Sequence, residues 1–224
     1  MLHAILWQQN ARLAEACLQH PFVRGLADGT LDPQTFRRYI AQDAFFLGAF
    51  ARAYALAAAR SQDMATFSQL CELLNGVLRE LQLHAVYAEE LKIQLDRVQP
   101  YRAVAAYTDF LLATAWHREP GDTIAALTPC MRLYGYLGTE LAKTVGAGSP
   151  YQSWIATYGG PDFQALVTRV ESLLDSTADD SSTVSDAYAY AMQCELNFFS
   201  AMWEHTTRHD MTSIYPTELT RQGA

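Results

Sequence analysis

Apolar residues recur at three- and four-residue spacing through most of this chain, and Gly and Pro gather in a few breaks between the periodic stretches. That rhythm belongs to helices, and runs of alternating β-branched residues are scarce. Residues 2 to 18 form a first amphipathic segment. Asp32-Pro33 then supplies an N-cap followed by proline at the first helical position, which predicts a long helix toward residue 60. Phe67, Leu70, Leu74, Val77, Leu78 and Leu81 keep the spacing over a second long helix, residues 64 to 95, which Pro100 closes off. Further helices are predicted over 103 to 117, 123 to 145 and 182 to 208, with shorter ones over 151 to 157 and 162 to 175. The connectors at 119–122 and 146–150 carry the Gly and Pro, and the polar stretch 175–183 reads as an exposed loop.

The fold class is therefore all-α. Half of the 224 residues are apolar, enough for one sizeable core without disulfides or a structural metal. One domain over residues 1–215 is expected, with a polar, frayed tail over 216–224. The net charge of −8, with Arg37-Arg38 as the longest basic cluster, excludes a phosphate-tracking surface and so argues against nucleic acid as a partner. No uncharged apolar stretch reaches the length of a membrane span, and the first ten residues lack the features of a signal peptide, so a cytoplasmic protein is expected. Cysteines 17, 71, 130 and 194 have neither zinc-site spacing nor the density of a disulfide framework and should be free thiols.

Cys130 follows Pro129, which suits a helix's first turn or a kink. Either leaves backbone N–H groups unpaired near the thiol, a setting that can lower its pKa. A buried cysteine acting as a small hydrophobe is the plainer account, and Cys17, Cys71 and Cys194 keep it. Tyr134 lies one turn beyond Cys130 on the same face. Asp43 shares a face with Phe46 and Phe50. It is either a buried acid holding another helix's polar group or a ligand-binding carboxylate, and the spacing leaves both open. Glu204, with Ser200 and Asn197 behind it, is either an exposed glutamate near a helix end or a carboxyl facing a polar interior.

The segments HPFVRGLADGTL at 20–31, FRRYIAQD at 36–43, AYTDFL at 106–111, LTPCMRLY at 127–134, YQSWIATYGG at 151–160 and FSAMWE at 199–204 occur together and in order. Taken together they resemble the TenA (thiaminase II) family. The resemblance implies a heme-oxygenase-like helical bundle, commonly a homotetramer, that holds a small-molecule pyrimidine inside each subunit. It implies an aminopyrimidine aminohydrolase of thiamin salvage, converting an aminomethyl-pyrimidine to the hydroxymethyl form, with thiamin a secondary substrate and no cofactor or metal. It also implies the roles: Cys130 as nucleophile, Glu204 as acid and base, Asp43 bonding the amino group and neighbouring ring nitrogen, and Phe46, Tyr107, Tyr134 and Tyr158 around the substrate. One departure is Ala44-Phe45-Phe46, where many relatives carry tyrosines, so a hydroxyl often found at 46 is absent.

Two other readings compete. Glu80 with His84, Glu140, and His205 with His209 stand at helical spacings that suit iron in an oxygenase, although six histidines and many glutamates yield such pairs by chance. A non-catalytic pyrimidine-binding or regulatory protein is the other, and retention of Cys130 and Glu204 argues against it.

Overall fold

In the computed structural model, which describes residues 1–146 and 148–212, the periodic stretches are helices and the breaks are turns. The helices run in order α1 (Leu2–Gln9), α2 (Ala11–Leu18), α3 (Pro21–Asp28), α4 (Pro33–Arg60), α5 (Met64–Glu90), a 3₁₀ turn (Leu95–Arg97), α6 (Arg102–His117), α7 (Pro120–Ala142), α8 (Gln152–Gly159), α9 (Pro161–Thr177) and α10 (Ser182–Thr212). Among the described residues there is no strand. The tail expected at 216–224 lies outside the described residues, as do the side chains of His205 and His209.

The Asp32-Pro33 start signal is used as expected, with Asp32 accepting the Thr35 N–H at 2.9 Å ahead of Pro33. Asp63, not singled out in the sequence, opens α5 in the same way by accepting the Thr66 N–H at 2.8 Å. The first segment differs from expectation by breaking at Asn10, whose side-chain amide bonds the Leu6 carbonyl while its own carbonyl accepts from Leu13 and Ala14. The α5 helix stops at Glu90 instead of 95. Lys92 turns into the left-handed region at φ 54°, which lets the Ile93 N–H close back on Ala88. Two-turn α3 was not anticipated. His20 caps it by accepting the Phe22 N–H, and Gly29 ends it at φ 71°, a conformation that favours glycine.

The bundle interior is rich in aromatic rings. Phe22 packs on Tyr39 and Phe199 at centroid distances of 5.3 and 5.5 Å, and Phe46 sits between Phe50 and Tyr107 at 5.3 and 4.8 Å. These rings come from α3, α4, α6 and α10 and belong to one core.

Where α7 crosses α8, the approach depends on Gly138. A Cβ there would lie 2.5 Å from the Tyr158 carbonyl carbon and also against the Gly159 nitrogen, both backbone atoms that cannot rotate away. Gly138→Ala is therefore expected to destabilise the fold by about 3 kcal/mol, or about 10 °C in Tm, as read by thermal unfolding followed by circular dichroism. An unchanged Tm would mean that the two helices can part without cost.

Candidate active site

Four helices bring their polar side chains to one small cavity, and two more, α10 and α6, supply a carboxyl and a phenol behind it. Asp43 comes from α4, Glu80 from α5, Cys130 and Tyr134 from α7, and Tyr158 from α8. Leu47, Phe50, Met131 and Phe163 complete the lining. The cavity measures about 10 Å³, room for roughly one water, so a ring-sized ligand must displace lining side chains as it enters.

Cys130 is partly accessible at this cavity and its thiol bonds the carboxyl of Glu195 on α10. Glu195 is 2% exposed and also accepts the Tyr107 hydroxyl of α6 at 2.8 Å. Burial, aided by the charge of Asp43, outweighs these two donors and pushes the Glu195 carboxyl up to about 8. Burial and the neighbouring Glu195 likewise drive the Cys130 thiol well above its ordinary value. The sequence-based expectation of a lowered thiol pKa is thus corrected. Pro129 lies in the interior of α7 and not at its first turn, and whatever it frees in the backbone is outweighed by apolar surroundings and a carboxyl.

Across the cavity, Asp43 Oδ2 lies 2.7 Å from His84 Nε2, and His84 Nδ1 lies 3.0 Å from the Glu80 carbonyl oxygen. Each ring nitrogen faces an acceptor, so both carry protons and His84 is an imidazolium. Burial opposes that charge, but the bond to Asp43 and the charges of Asp43 and Glu80 prevail and raise His84 to about 9. Asp43 therefore holds a polar group of α5, the first of the two possibilities left open by its spacing, and it also lines the cavity. Its neighbour Gln42 accepts the Tyr101 N–H at 2.8 Å and donates to the Gln99 carbonyl at 2.9 Å, tying α4 to the chain that enters α6.

Asp43, Glu80 and His84 are also the cluster among the described residues whose ligand atoms come close enough for a metal, within 4.8 Å of one another. The geometry argues for an ion network instead. An imidazolium with both nitrogens bonded has no lone pair to give a metal. Glu140 lies apart from this cluster in a surface pair with Lys143 at 2.7 Å.

Glu204 is not brought to the thiol. It is exposed, lining an outer cleft with Tyr101, Arg102, Asn197 and Ser200. Nine residues separate it from Glu195, about 13 Å of helix rise and about 180° of rotation, so the two carboxyls point to opposite faces of α10. Glu195, the carboxyl that does meet Cys130, was missed. Its signal was present in the sequence: it interrupts the apolar stripe Tyr188, Ala191, Met192, Phe198, Phe199 and Met202, all buried.

The aromatic residues divide. Tyr134 and Tyr158 line the cavity, with Tyr158 donating to Glu80 Oε1 at 2.7 Å. Tyr39 donates to the Tyr134 hydroxyl at 3.5 Å and accepts from Trp154 Nε1 at 3.2 Å. Tyr107 reaches the site through Glu195. Phe46 is buried behind the cavity and Phe45 is 39% exposed, so the missing hydroxyl concerns position 46 alone.

Among the described residues no helix is long and apolar enough to cross a membrane. Comparison with known proteins fits the geometry. The chain is 33% identical over 190 residues to an aminopyrimidine aminohydrolase from Halalkalibacterium halodurans, covering 82% of this chain and 85% of that one. It is 34% identical over 223 residues to the mitochondrial bifunctional TH2 protein of Arabidopsis thaliana, covering 88% of this chain and spanning 36% of that longer protein. A TenA family transcription regulator from Silicibacter sp. TM1040 superposes with a TM-score of 0.83 at 29% identity, over 89% of this chain and 95% of that one. A Shewanella denitrificans domain with a heme oxygenase-like fold superposes at 0.74 over 98% of both chains, at 12% identity, so the bundle is of that type. The model of the TENA/THI-4/PQQC family matches residues 7–206, and the chain belongs to that family.

Proposed function

We propose that this protein is an aminopyrimidine aminohydrolase of thiamin salvage, acting on an aminomethyl-pyrimidine and releasing its hydroxymethyl counterpart. The observation that carries this reading is the enclosed Cys130 thiol bonded to a carboxyl of raised pKa and facing an anchored carboxylate across an aromatic-lined cavity. The relatives named aminopyrimidine aminohydrolase, at 31 to 33% identity, support it.

An aminopyrimidine ring accepts a nucleophile once a ring nitrogen is protonated. Asp43 accepts the exocyclic amino group, and Phe50, Tyr134 and Tyr158 pack around the ring. Glu195 gives its carboxyl proton to a ring nitrogen as it takes the Cys130 proton, so sulfur adds to a ring carbon and Glu195 ends as it began. The electron pair gained by the ring then expels the protonated amine as neutral ammonia with the C–N bonding pair. Water adds to the exocyclic carbon and loses a proton, which leaves with the ammonia as ammonium. Finally the ring N–H proton returns through Glu195 to sulfur as the C–S bond breaks. Glu195 thus takes the role that the resemblance implied for Glu204.

Incubating the purified, folded protein with the aminomethyl-pyrimidine and, separately, with thiamin tests the reading by chromatography of the hydroxymethyl product. Release is expected from the aminomethyl compound in preference to thiamin, because Phe46 lacks a hydroxyl. A non-catalytic pyrimidine-binding or regulatory protein predicts binding with no release from either, and that result would sink the hydrolase.

A further inference from the structure

Glu80 has no evident place in the chemistry above, yet its carboxyl has a foot in two spaces. It lines the inner cavity and also an outer cleft of about 590 Å³ between α5 and the α8–α9 corner, where Gly76, Arg79, Ala156 and Gly160 form the walls. Phe163 is the other residue common to both. A carboxyl and an aromatic ring therefore stand between the inner cavity and this outer cleft.

The three carboxyls around the cavity differ in their partners. Asp43 is matched to the His84 imidazolium. Glu195 holds the Tyr107 phenol and the Cys130 thiol. Glu80 Oε1 has the neutral Tyr158 hydroxyl, which a glutamine amide oxygen would hold equally well. An enclosed carboxylate without a matching cation at contact distance is costly. Burial and the nearby charge of Asp43, against the Tyr158 bond and His84, push Glu80 up to about 7, so an arriving cation would relieve it. Resting on the aminohydrolase reading, we propose that Glu80, positioned by Tyr158 at the mouth of the cavity, is the specificity-determining residue for the leaving group: it receives a cationic nitrogen, the aminomethyl ammonium or the thiazolium of thiamin, and so favours these substrates over pyrimidines with neutral substituents.

The test compares Glu80→Gln with the parent in two ways. In the Cys130→Ser background, calorimetry measures the affinities of the cationic aminomethyl-pyrimidine and of the neutral hydroxymethyl-pyrimidine. In the active protein, kcat/KM is measured for the aminomethyl-pyrimidine and for its neutral N-formyl derivative. Glu80→Gln is expected to lower the cation-to-neutral ratio at least tenfold in both measurements, and Glu80→Asp, which keeps the charge, to retain most of the preference. Equal losses for cationic and neutral compounds, or an unmoved ratio, would overturn the assignment while leaving the hydrolase standing. If Glu80→Gln fails to fold, a Glu80→Asp protein without the preference overturns it. Parent protein that binds neither pyrimidine removes both readings together.

Discussion

Cys130→Ser is expected to lower kcat for the aminomethyl-pyrimidine by about 10³-fold or more, while binding of the hydroxymethyl-pyrimidine stays within about threefold. The argument turns on where the nucleophile's charge comes from. Burial and Glu195 hold the thiol well above its ordinary pKa, so little thiolate stands ready. Reactivity must arise when the substrate ring takes a proton from Glu195 and Glu195 takes one from sulfur. Serine can occupy the same place and bond the same carboxyl, and the smaller atom leaves the packing nearly intact. Its hydroxyl is a far weaker acid than a thiol, so the coupled transfer fails at the step that forms the covalent bond. Single-turnover product release checks the first half of the expectation and calorimetry the second. Undiminished turnover in the serine protein would remove the covalent mechanism.

The long helices were legible because each buries a wide apolar stripe that repeats every three or four residues, and because Asp32-Pro33 announces one of them in local chemistry alone. Two-turn α3 was not, since eight residues hold too few repeats for a period to stand out. Its cap is a histidine and not one of the usual small polar residues. The site was half legible. The structure brings Cys130, Asp43, Tyr134 and Tyr158 together at one cavity, with Tyr107 behind it through Glu195. Glu80 and His84 were recognised as a pair one turn apart but taken for possible metal ligands. What decides their role is Asp43, 41 residues before His84, and a contact at that separation leaves no mark in local spacing. Glu195 shows the converse. Its burial was written in the stripe it interrupts, whereas Glu204 was preferred for its position near the end of a matching segment, a criterion blind to the face of the helix on which a side chain stands.

That choice between two glutamates yields the second large effect. Glu195→Gln is expected to reduce kcat/KM by about 10²- to 10³-fold, and Glu204→Gln to leave it within about twofold. Glutamine at 195 keeps an oxygen for the Tyr107 hydroxyl and has nearly the same shape, so far-ultraviolet circular dichroism should be unchanged. What it cannot do is give a proton to the ring nitrogen and take one from sulfur. The pH profile separates this loss from a packing defect. Because the folded pKa of Glu195 is raised from the ordinary 4.5 to about 8, the carboxyl is protonated across the neutral range. An activity that needs the acid form therefore holds below pH 8 and falls as pH rises through it, and the apparent pKa belongs to the Glu195–Cys130 pair. Residual activity of Glu195→Gln should lack that alkaline limb. If Glu204→Gln instead abolished turnover while Glu195→Gln kept both rate and limb, proton transfer would have to be assigned to the outer face of α10, and the buried Cys130–Glu195 contact would be left with a packing role alone.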